Sequence, residues 1–436
     1  MDHPVILWFR RDLRLGDNPA LAAAVESGRP VIAAYVHDPA LDGRSMGGAS
    51  QWWLDKSLRA LDTDLAMRGS RLVVRADEAA AALTALVAET GATAVFVNRM
   101  FEPAAWARDA ALAETLKAKG VEMRGFNATR LAAPGAVLTK AGEPFKVFTP
   151  FSRALWDQAR PRAGRRAPDQ IVSPASPATG INIDSLALHP KNPDWSAGFD
   201  DWVPGEAGAL AALDRLIDGP LSDYATDRDR PDREGTSRLS PHLHFGEIDP
   251  WRVVTTARAA ADHGEVPHGQ SEKFCAEIAW REFSIQLLES FPDLPTRNFR
   301  EGFDRMAWRD DPHGLEAWSR GQTGYPIVDA GMRQLWVTGW MHNRVRMIVA
   351  SFLIKDLLID WREGERWFWD TLVDADAAAN AQNWQWVAGS GADASPFFRI
   401  FNPTGQGEKF DPNGTYVRRW VPELAELPAD WIHKRW

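Results

Sequence analysis

Over the first ~130 residues, short unbroken apolar runs alternate with stretches whose apolar positions recur every three or four residues. Val5–Phe9, Val31–Val36, Leu72–Val74 and Ala94–Val97 are valine-rich and apolar throughout, the pattern of strands covered on both faces. Between them, Asn18–Glu26, Ser50–Met67, Ala79–Glu89 and Pro103–Lys119 carry helical periodicity, the last with proline in its first turn. Strand–helix alternation of this kind predicts a parallel, doubly wound sheet. No G-x-G-x-x-G follows the first apolar run, so the usual dinucleotide fingerprint of such a sheet is absent. The pattern then changes. Around Arg160–Pro193 the chain is rich in proline and charge with little periodicity, which predicts a connector running over the surface. From about residue 205 the 3.6-residue period takes over, in Ala209–Ile217, Pro250–Ala261, Ser271–Ser290, Ala330–Thr338, His342–Leu358 and Glu363–Val373. The predicted architecture is an N-terminal α/β domain with a doubly wound parallel sheet at 1–130, a connector at 131–204, and an all-α C-terminal domain at 205–436.

Composition narrows the class. With 436 residues, 45% apolar and 25% charged, the chain has the material for a large core, and disorder as a whole is excluded. The lone cysteine, Cys275, excludes an intrachain disulfide framework and a multi-cysteine metal site, and no metal is expected. No apolar run approaches the ~18 residues of a membrane span. The apolar stretch Val5–Phe9 precedes its arginines, the wrong order for a secretory signal, so a cytoplasmic, monomeric protein is expected. Net charge is −9 while residues 1–130 are balanced, so any nucleic-acid contact must come from a local basic face. Tryptophan is the outlier: 21 indoles against 4 tyrosines, 14 of them at or beyond Trp251. Leucine and valine suffice to fill a core, so this excess asks for a further use.

Several spacings carry chemistry. Gly235-Thr236-Ser237-Arg238-Leu239-Ser240-Pro241 offers hydroxyls, backbone amides and a cation that suit a phosphate, or equally a capped helix start. Glu277, Trp280 and Arg281 lie at i, i+3 and i+4, which turns a carboxylate and an indole the same way and allows a Glu277–Arg281 surface ion pair. Asn343 and Met347 share a face with Arg346 beside them, and Asn380 and Trp384 share another. Trp384 and Trp386 stand about 200° apart round a helix, so an unbroken helix should send them to different places. Asp374 and Asp376 are two acids in an apolar stretch, and with these spacings they point to one polar pocket in the helical half.

Long strings then carry a resemblance: LWFRRDLRLGDNPAL at 7–21, KVFTPF at 146–151, GTSRLSPHL at 235–243, AWREF at 279–283, TGYPIVDAGMRQL at 323–335, GWMHNRVRM at 339–347, KDLLIDWREGERWF at 355–368, NWQW at 383–386 and FFRIFNPTGQGEKFD at 397–411. The chain resembles the photolyase/cryptochrome family over nearly its whole length, most of all the photolyases that split cyclobutane pyrimidine dimers. The resemblance implies FAD in the helical half. Tyr224, Thr236, Ser237, Arg238, Leu239 and Ser240 would hold its adenosine and pyrophosphate side, and Arg346, Asp374, Ala375, Asp376 and Asn380 would line the flavin, with Asn380 near N5. An Arg–Asp pair suits an anionic reduced ring, and an amide adds no charge beside it. Trp384, Trp361 and Trp308 match an electron relay of three indoles.

For damaged DNA as partner, Trp280 and Trp386 match an aromatic pair that holds the extruded dimer, with Glu277, Asn343 and Met347 against the lesion. Arg228 and Arg344 match phosphate contacts, with Arg281 and Arg399 as further candidates. The (6-4) photolyases carry histidines where this chain has Asn343 and Met347, which disfavours that chemistry. A cryptochrome-type photosensor without repair activity is the alternative from another class. For an antenna, Glu102 matches a folate-binding acid, but Pro295 and Thr296 replace the expected cysteine and lysine. Methenyltetrahydrofolate, a deazaflavin, a flavin nucleotide and no antenna all stay open.

Overall fold

The computed structural model of the protein describes residues 3–39, 43–394 and 399–435. Phe397 and Phe398, which open the last of the resembling strings, lie outside the described residues. Five parallel strands, β1 Val5–Phe9, β2 Val31–His37, β3 Leu72–Ala76, β4 Ala94–Asn98 and β5 Glu122–Phe126, stand in the order β3-β2-β1-β4-β5. Val5 of the central strand pairs with Val31 on one side and Ala94 on the other. All five β1 residues are fully buried, as a strand with helices on both faces requires. The four apolar runs are therefore the three inner strands and the edge strand β3, whose first three residues are buried. β5 escaped sequence reading because an edge strand reading Glu-Met-Arg-Gly-Phe has no apolar run and stays partly exposed.

In a doubly wound sheet the crevice where the strand order reverses is the usual ligand seat. Here that place, beyond the ends of β1 and β4, is filled by the protein. Asn98 donates to Asp12 (2.6 Å) and Asn18 (2.7 Å), all buried. Arg14 reaches the carbonyls of Gly246 (2.7 Å) and Ala128 (2.9 Å). Gly246 has φ +65°, and a Cβ there would lie 2.1 Å from the Arg11 carbonyl oxygen, so only glycine lets the two halves meet.

The segment between the halves departs from expectation. The helix Phe148–Gln158 stands inside the predicted connector and buries Phe151 and Leu155 against the helix His268–Ser290. Its proline, Pro150, occupies the first turn, where a missing N–H costs nothing. Beyond it come the helices Glu206–Asp218, Pro250–Asp262, His268–Ser290, Pro326–Thr338, Asn343–Ser351, Trp361–Thr371 and Ala377–Ala388. The predicted helix His342–Leu358 stops at Ser351 and continues as one π-helical turn, Phe352–Asp356, before Leu358 takes φ +58°. Among the described residues no helix is long and apolar enough to cross a membrane.

Candidate active site

Four helices of the C-terminal half, His268–Ser290, Asn343–Ser351, Trp361–Thr371 and Ala377–Ala388, wall a cavity of about 540 Å³. The first presents Lys273, Glu277, Trp280, Arg281 and Ser284, one helical face. The second presents Asn343, Arg344, Arg346 and Met347, so the i, i+4 reading of Asn343 and Met347 describes the actual wall. Both Trp384 and Trp386 line the cavity from an unbroken helix, contrary to the expectation from their angular separation. The cavity wraps the helix, taking residues from Ala379 round to Val387; Trp384 is buried and Trp386 half-buried.

The inner wall is charged and fully paired. Arg346 grips Asp374 with two bonds (3.1 and 2.9 Å) and donates to the Met341 carbonyl oxygen at 2.7 Å. Asp376 caps the helix Ala377–Ala388, accepting from the Ala378 and Ala379 amides at 3.0 and 2.9 Å. Burial alone would raise its pKa, but the His244 contact (3.4 Å) and the Arg281 and Arg11 charges outweigh that and hold it well below the ordinary range. Asn380 is buried and donates to the Glu365 carboxylate (2.8 Å) and carbonyl oxygen (3.1 Å).

The outer wall corrects one reading. Glu277 does not pair with Arg281; it pairs with Arg228 and lies 3.6 Å from Lys273. Arg281 instead donates to the carbonyls of Thr129 (2.9 Å) and Leu243 (3.3 Å), and burial lowers its pKa. Arg281 thus stands half-buried in the cavity wall, tied to these two carbonyls. Arg344 pairs with Asp229 (2.8 Å) and lies over Phe410. Trp280 is stacked on Phe148 at 3.7 Å and 6°, and the Trp386 Nε1 donates to the Asp393 carbonyl oxygen at 3.1 Å.

Other expected residues stand outside the lining. Ser240 lines the cavity, but Thr236, Ser237, Arg238 and Leu239 do not, and the Arg238 guanidinium lies over Trp340 (5.1 Å) and Trp202 (5.7 Å). Tyr224 is buried edge-on to Phe274 beside Ala225, which does line it. Trp361 is fully buried with its Nε1 on Asn298 (3.0 Å), and Trp308 packs half-buried on the same apolar cluster as Trp361 and Trp384. Arg399 is exposed. Glu102 is buried and paired with Arg11, and the cavity it lines holds about 10 Å³, too little for a pterin. Sequence reading missed Lys273, one turn before Glu277, together with Phe148 and Glu365, whose partners are remote in the chain.

The lining fits a large cofactor with a planar ring. About 540 Å³ lies inside the range of small-molecule sites. The Trp384 Nε1 and Gln382 Nε2, on two lining residues, are buried with no partner in the protein, and a bound group with acceptors would satisfy them. An α/β domain whose own ligand crevice is plugged, joined to a helical half that encloses such a cavity, defines a protein that holds its cofactor among helices. Residues 274–436 match the FAD binding domain of DNA photolyase, and residues 5–170 match DNA photolyase. The chain is 52% identical to the deoxyribodipyrimidine photo-lyase of Agrobacterium fabrum over 99% of its own length and 89% of that protein. It is 41% identical to Cryptochrome-1 of Arabidopsis thaliana, covering 99% of itself and 64% of that chain. The crystal structure of a bacterial class III photolyase from Agrobacterium tumefaciens superposes with a TM-score of 0.96 at 51% identity, covering 100% of this chain and 89% of the other. The chain belongs to the photolyase/cryptochrome family of FAD-binding proteins, on its photolyase side.

Proposed function

We propose that the protein repairs cyclobutane pyrimidine dimers in DNA under blue light. One observation carries the choice of lesion: Glu277, Trp280, Asn343, Met347 and Trp386 share a cavity with Arg346, Asp374, Asp376 and Asn380. FAD held there would supply the light-driven electron that dimer splitting needs and that is returned at its end. The protein's part is positional. Trp280 and Trp386 offer stacking surfaces to the extruded bases, each worth ~1–3 kcal/mol. Glu277 offers carboxylate oxygens to a base N–H, and Asn343 offers both a donor and an acceptor to the base edge. No imidazole lines this cavity among the described residues, so acid–base chemistry by histidine is not what the lining supports. Deeper in, the Arg346–Asp374 pair and Asn380 line the part of the cavity that would hold the ring.

The test is dimer reversal on an irradiated oligonucleotide, with and without blue light, alongside the absorption spectrum of the purified protein. A yellow or blue protein that reverses dimers only in light supports the reading. A flavin-loaded protein that leaves dimers intact overturns it in favour of a photosensor, the reading that the likeness to Cryptochrome-1 supports. Glu277→Gln should lower repair yield several-fold with FAD retained; unchanged yield removes Glu277 from the mechanism.

A further inference from the structure

One chain of contacts runs from Asn380 in the cavity wall out of the helical half, through the buried Glu365 to the partly exposed Arg44. Asn380 lines the cavity, and both hydrogens of its amide nitrogen are committed, to Glu365 Oε1 at 2.8 Å and to the Glu365 carbonyl oxygen at 3.1 Å. Carboxylate and carbonyl oxygens only accept, so this end of the amide must be the NH2. What Asn380 has left for the cavity is its Oδ1. Glu365 is 4% exposed, and the same Oε1 takes a second bond from the Arg44 guanidinium at 2.7 Å. Arg44 belongs to the N-terminal half, in the loop before the helix Gly48–Ala66, with its guanidinium 4.2 Å over the Trp369 ring. That loop and the helix start after it are pinned independently: the Trp369 Nε1 donates to the Ser45 carbonyl oxygen (2.8 Å), the Gly48 amide to Asp370 (2.9 Å) and the Ser50 hydroxyl to the Leu372 carbonyl oxygen (3.1 Å).

We propose that Arg44 is a positioning residue for the flavin: by fixing the Glu365 carboxylate it keeps Asn380 with its oxygen toward the cofactor. The N-terminal half thereby sets the polarity of the amide that meets the ring. The proposal rests on the reading that the cavity holds FAD with its ring against Asn380. An asparagine by itself can face a ring nitrogen with either end. An acceptor there favours the ring nitrogen that carries hydrogen, hence the reduced cofactor; a donor favours the oxidised one. The anchored carboxylate removes the ambiguity, and the cation removes the penalty of leaving that carboxylate buried and unpaired.

The test compares Arg44→Ala, Arg44→Lys, Glu365→Gln and Ser50→Ala with the unaltered protein. FAD content comes from absorbance, the equilibrium between oxidised and reduced flavin from titration against a reference dye, and stability from thermal unfolding. Arg44→Ala should keep its FAD while the equilibrium moves toward oxidised flavin by about five- to tenfold, the worth of one hydrogen bond. Arg44→Lys should recover most of this. Glu365→Gln, whose amide can donate as well as accept, should match or exceed it. Ser50→Ala loosens the helix start that follows the Arg44 loop and should leave the equilibrium unmoved. An unchanged equilibrium in Arg44→Ala, or an equal shift in Ser50→Ala, overturns the proposal and leaves Arg44 as glue between the halves. Unaltered protein that takes up no flavin overturns the cofactor reading itself, and absorbance tells the two failures apart.

Discussion

Gly364 faces Trp384 so closely that the indole's place depends on the missing side chain. A Cβ at Gly364 would lie 2.1 and 2.5 Å from two carbons of the Trp384 ring and 2.7 Å from Leu353 Cδ2. The ring has nowhere to retreat inside the core, because Phe368 meets it edge-on at 5.0 Å and Trp318 at 6.2 Å. Gly364→Ala therefore overpacks a rigid site. Such insertions cost ~1–3 kcal/mol and more where no flexible group can yield. The alanine returns up to ~1 kcal/mol of helix propensity inside Trp361–Thr371, leaving a net loss of about 2 kcal/mol or more. At about 2–4 °C per kcal/mol, Tm falls by roughly 4–8 °C. If the strain is relieved by moving the indole toward the cavity, flavin content falls instead. Thermal unfolding and the flavin absorbance of purified protein read the two outcomes. Gly302→Ala is the control: nothing lies within 4 Å of its Cβ, so it should stay within about 0.5 kcal/mol of the original. If Gly364→Ala matched the control in both Tm and flavin content, the packing argument would be wrong.

Trp384→Phe removes the oxidisable ring at the cavity wall while keeping most of its bulk; photoreduction of oxidised flavin should be strongly slowed, while chemically reduced protein repairs as before. Intact photoreduction would refute the relay assignment. His342 caps the helix Asn343–Ser351 by accepting from the Arg344 amide at 3.2 Å. Burial first, then Arg344, Arg228 and Arg346 against the opposing Asp229, lowers its pKa from 6.5 to about 3. The unfolded chain thus binds a proton that the folded one refuses, and stability is lost as pH falls from about 6.5 toward 3, by up to ~4 kcal/mol. His342→Asn keeps an acceptor at the cap without titrating and should flatten urea midpoints across that window; an unchanged slope would show that other groups set it. With Arg281 tied to two backbone carbonyls in the cavity wall, Arg228, Arg344 and Arg399 are the expected phosphate contacts freest to move, so log K against log salt should have a slope of about −3, by filter binding of a dimer-containing oligonucleotide. A slope twice as steep would mean that a basic face has been overlooked.

The parts of this molecule that were legible in the sequence are those fixed by near neighbours. The inner strands β1, β2 and β4 are apolar because both faces are covered, and the edge strand β3 still buries Leu72, Val73 and Val74, so these four announced themselves, whereas the edge strand β5 stays partly exposed and carries Glu122 and Arg124. The helix Phe148–Gln158 was hidden by the prolines and charges around it, although Phe148, Phe151 and Leu155 mark its apolar face. Single-face spacings within one helix held for Glu277 with Trp280 and for Asn343 with Met347, because geometry four residues long is local. Partners were not legible. Sequence offers Arg281 as the near partner of Glu277, yet the fold brings Arg228 to Glu277 and sends Arg281 to Thr129 and Leu243. Trp384 and Trp386 met in one cavity because its shape follows the helix, which angular counting ignores. The spacings with Asp374 and Asp376 pointed to one polar pocket in the helical half, but that segments as far apart as Ala225 and Val387 line it is encoded in no periodicity.

The charge at the cavity's outer wall limits how this protein can hold DNA under the proposed reading. Arg228, Lys273 and Arg344 face Glu277 and Asp229, so local charge there is close to neutral on a chain whose net charge is −9. Long-range attraction is correspondingly weak, and each arginine must loosen an existing ion pair before it meets a phosphate. Affinity for the lesion must then come from the cavity. Two indoles stacking on two bases supply ~2–6 kcal/mol, but only if the rings are already in place, since ordering them on binding would consume part of the gain. The structure meets that condition: Phe148 lies parallel behind Trp280 at 3.7 Å, and the Asp393 carbonyl oxygen holds the Trp386 Nε1. Both supports come from outside the helices that bear the indoles. Undamaged bases, well stacked in their duplex, would pay more to reach the same rings, so a stiff aromatic wall with few phosphate contacts discriminates through the cost of extrusion. On this account the abundance of tryptophan in the helical half serves binding as well as electron transfer, and the acidic balance of the chain is compatible with a DNA partner.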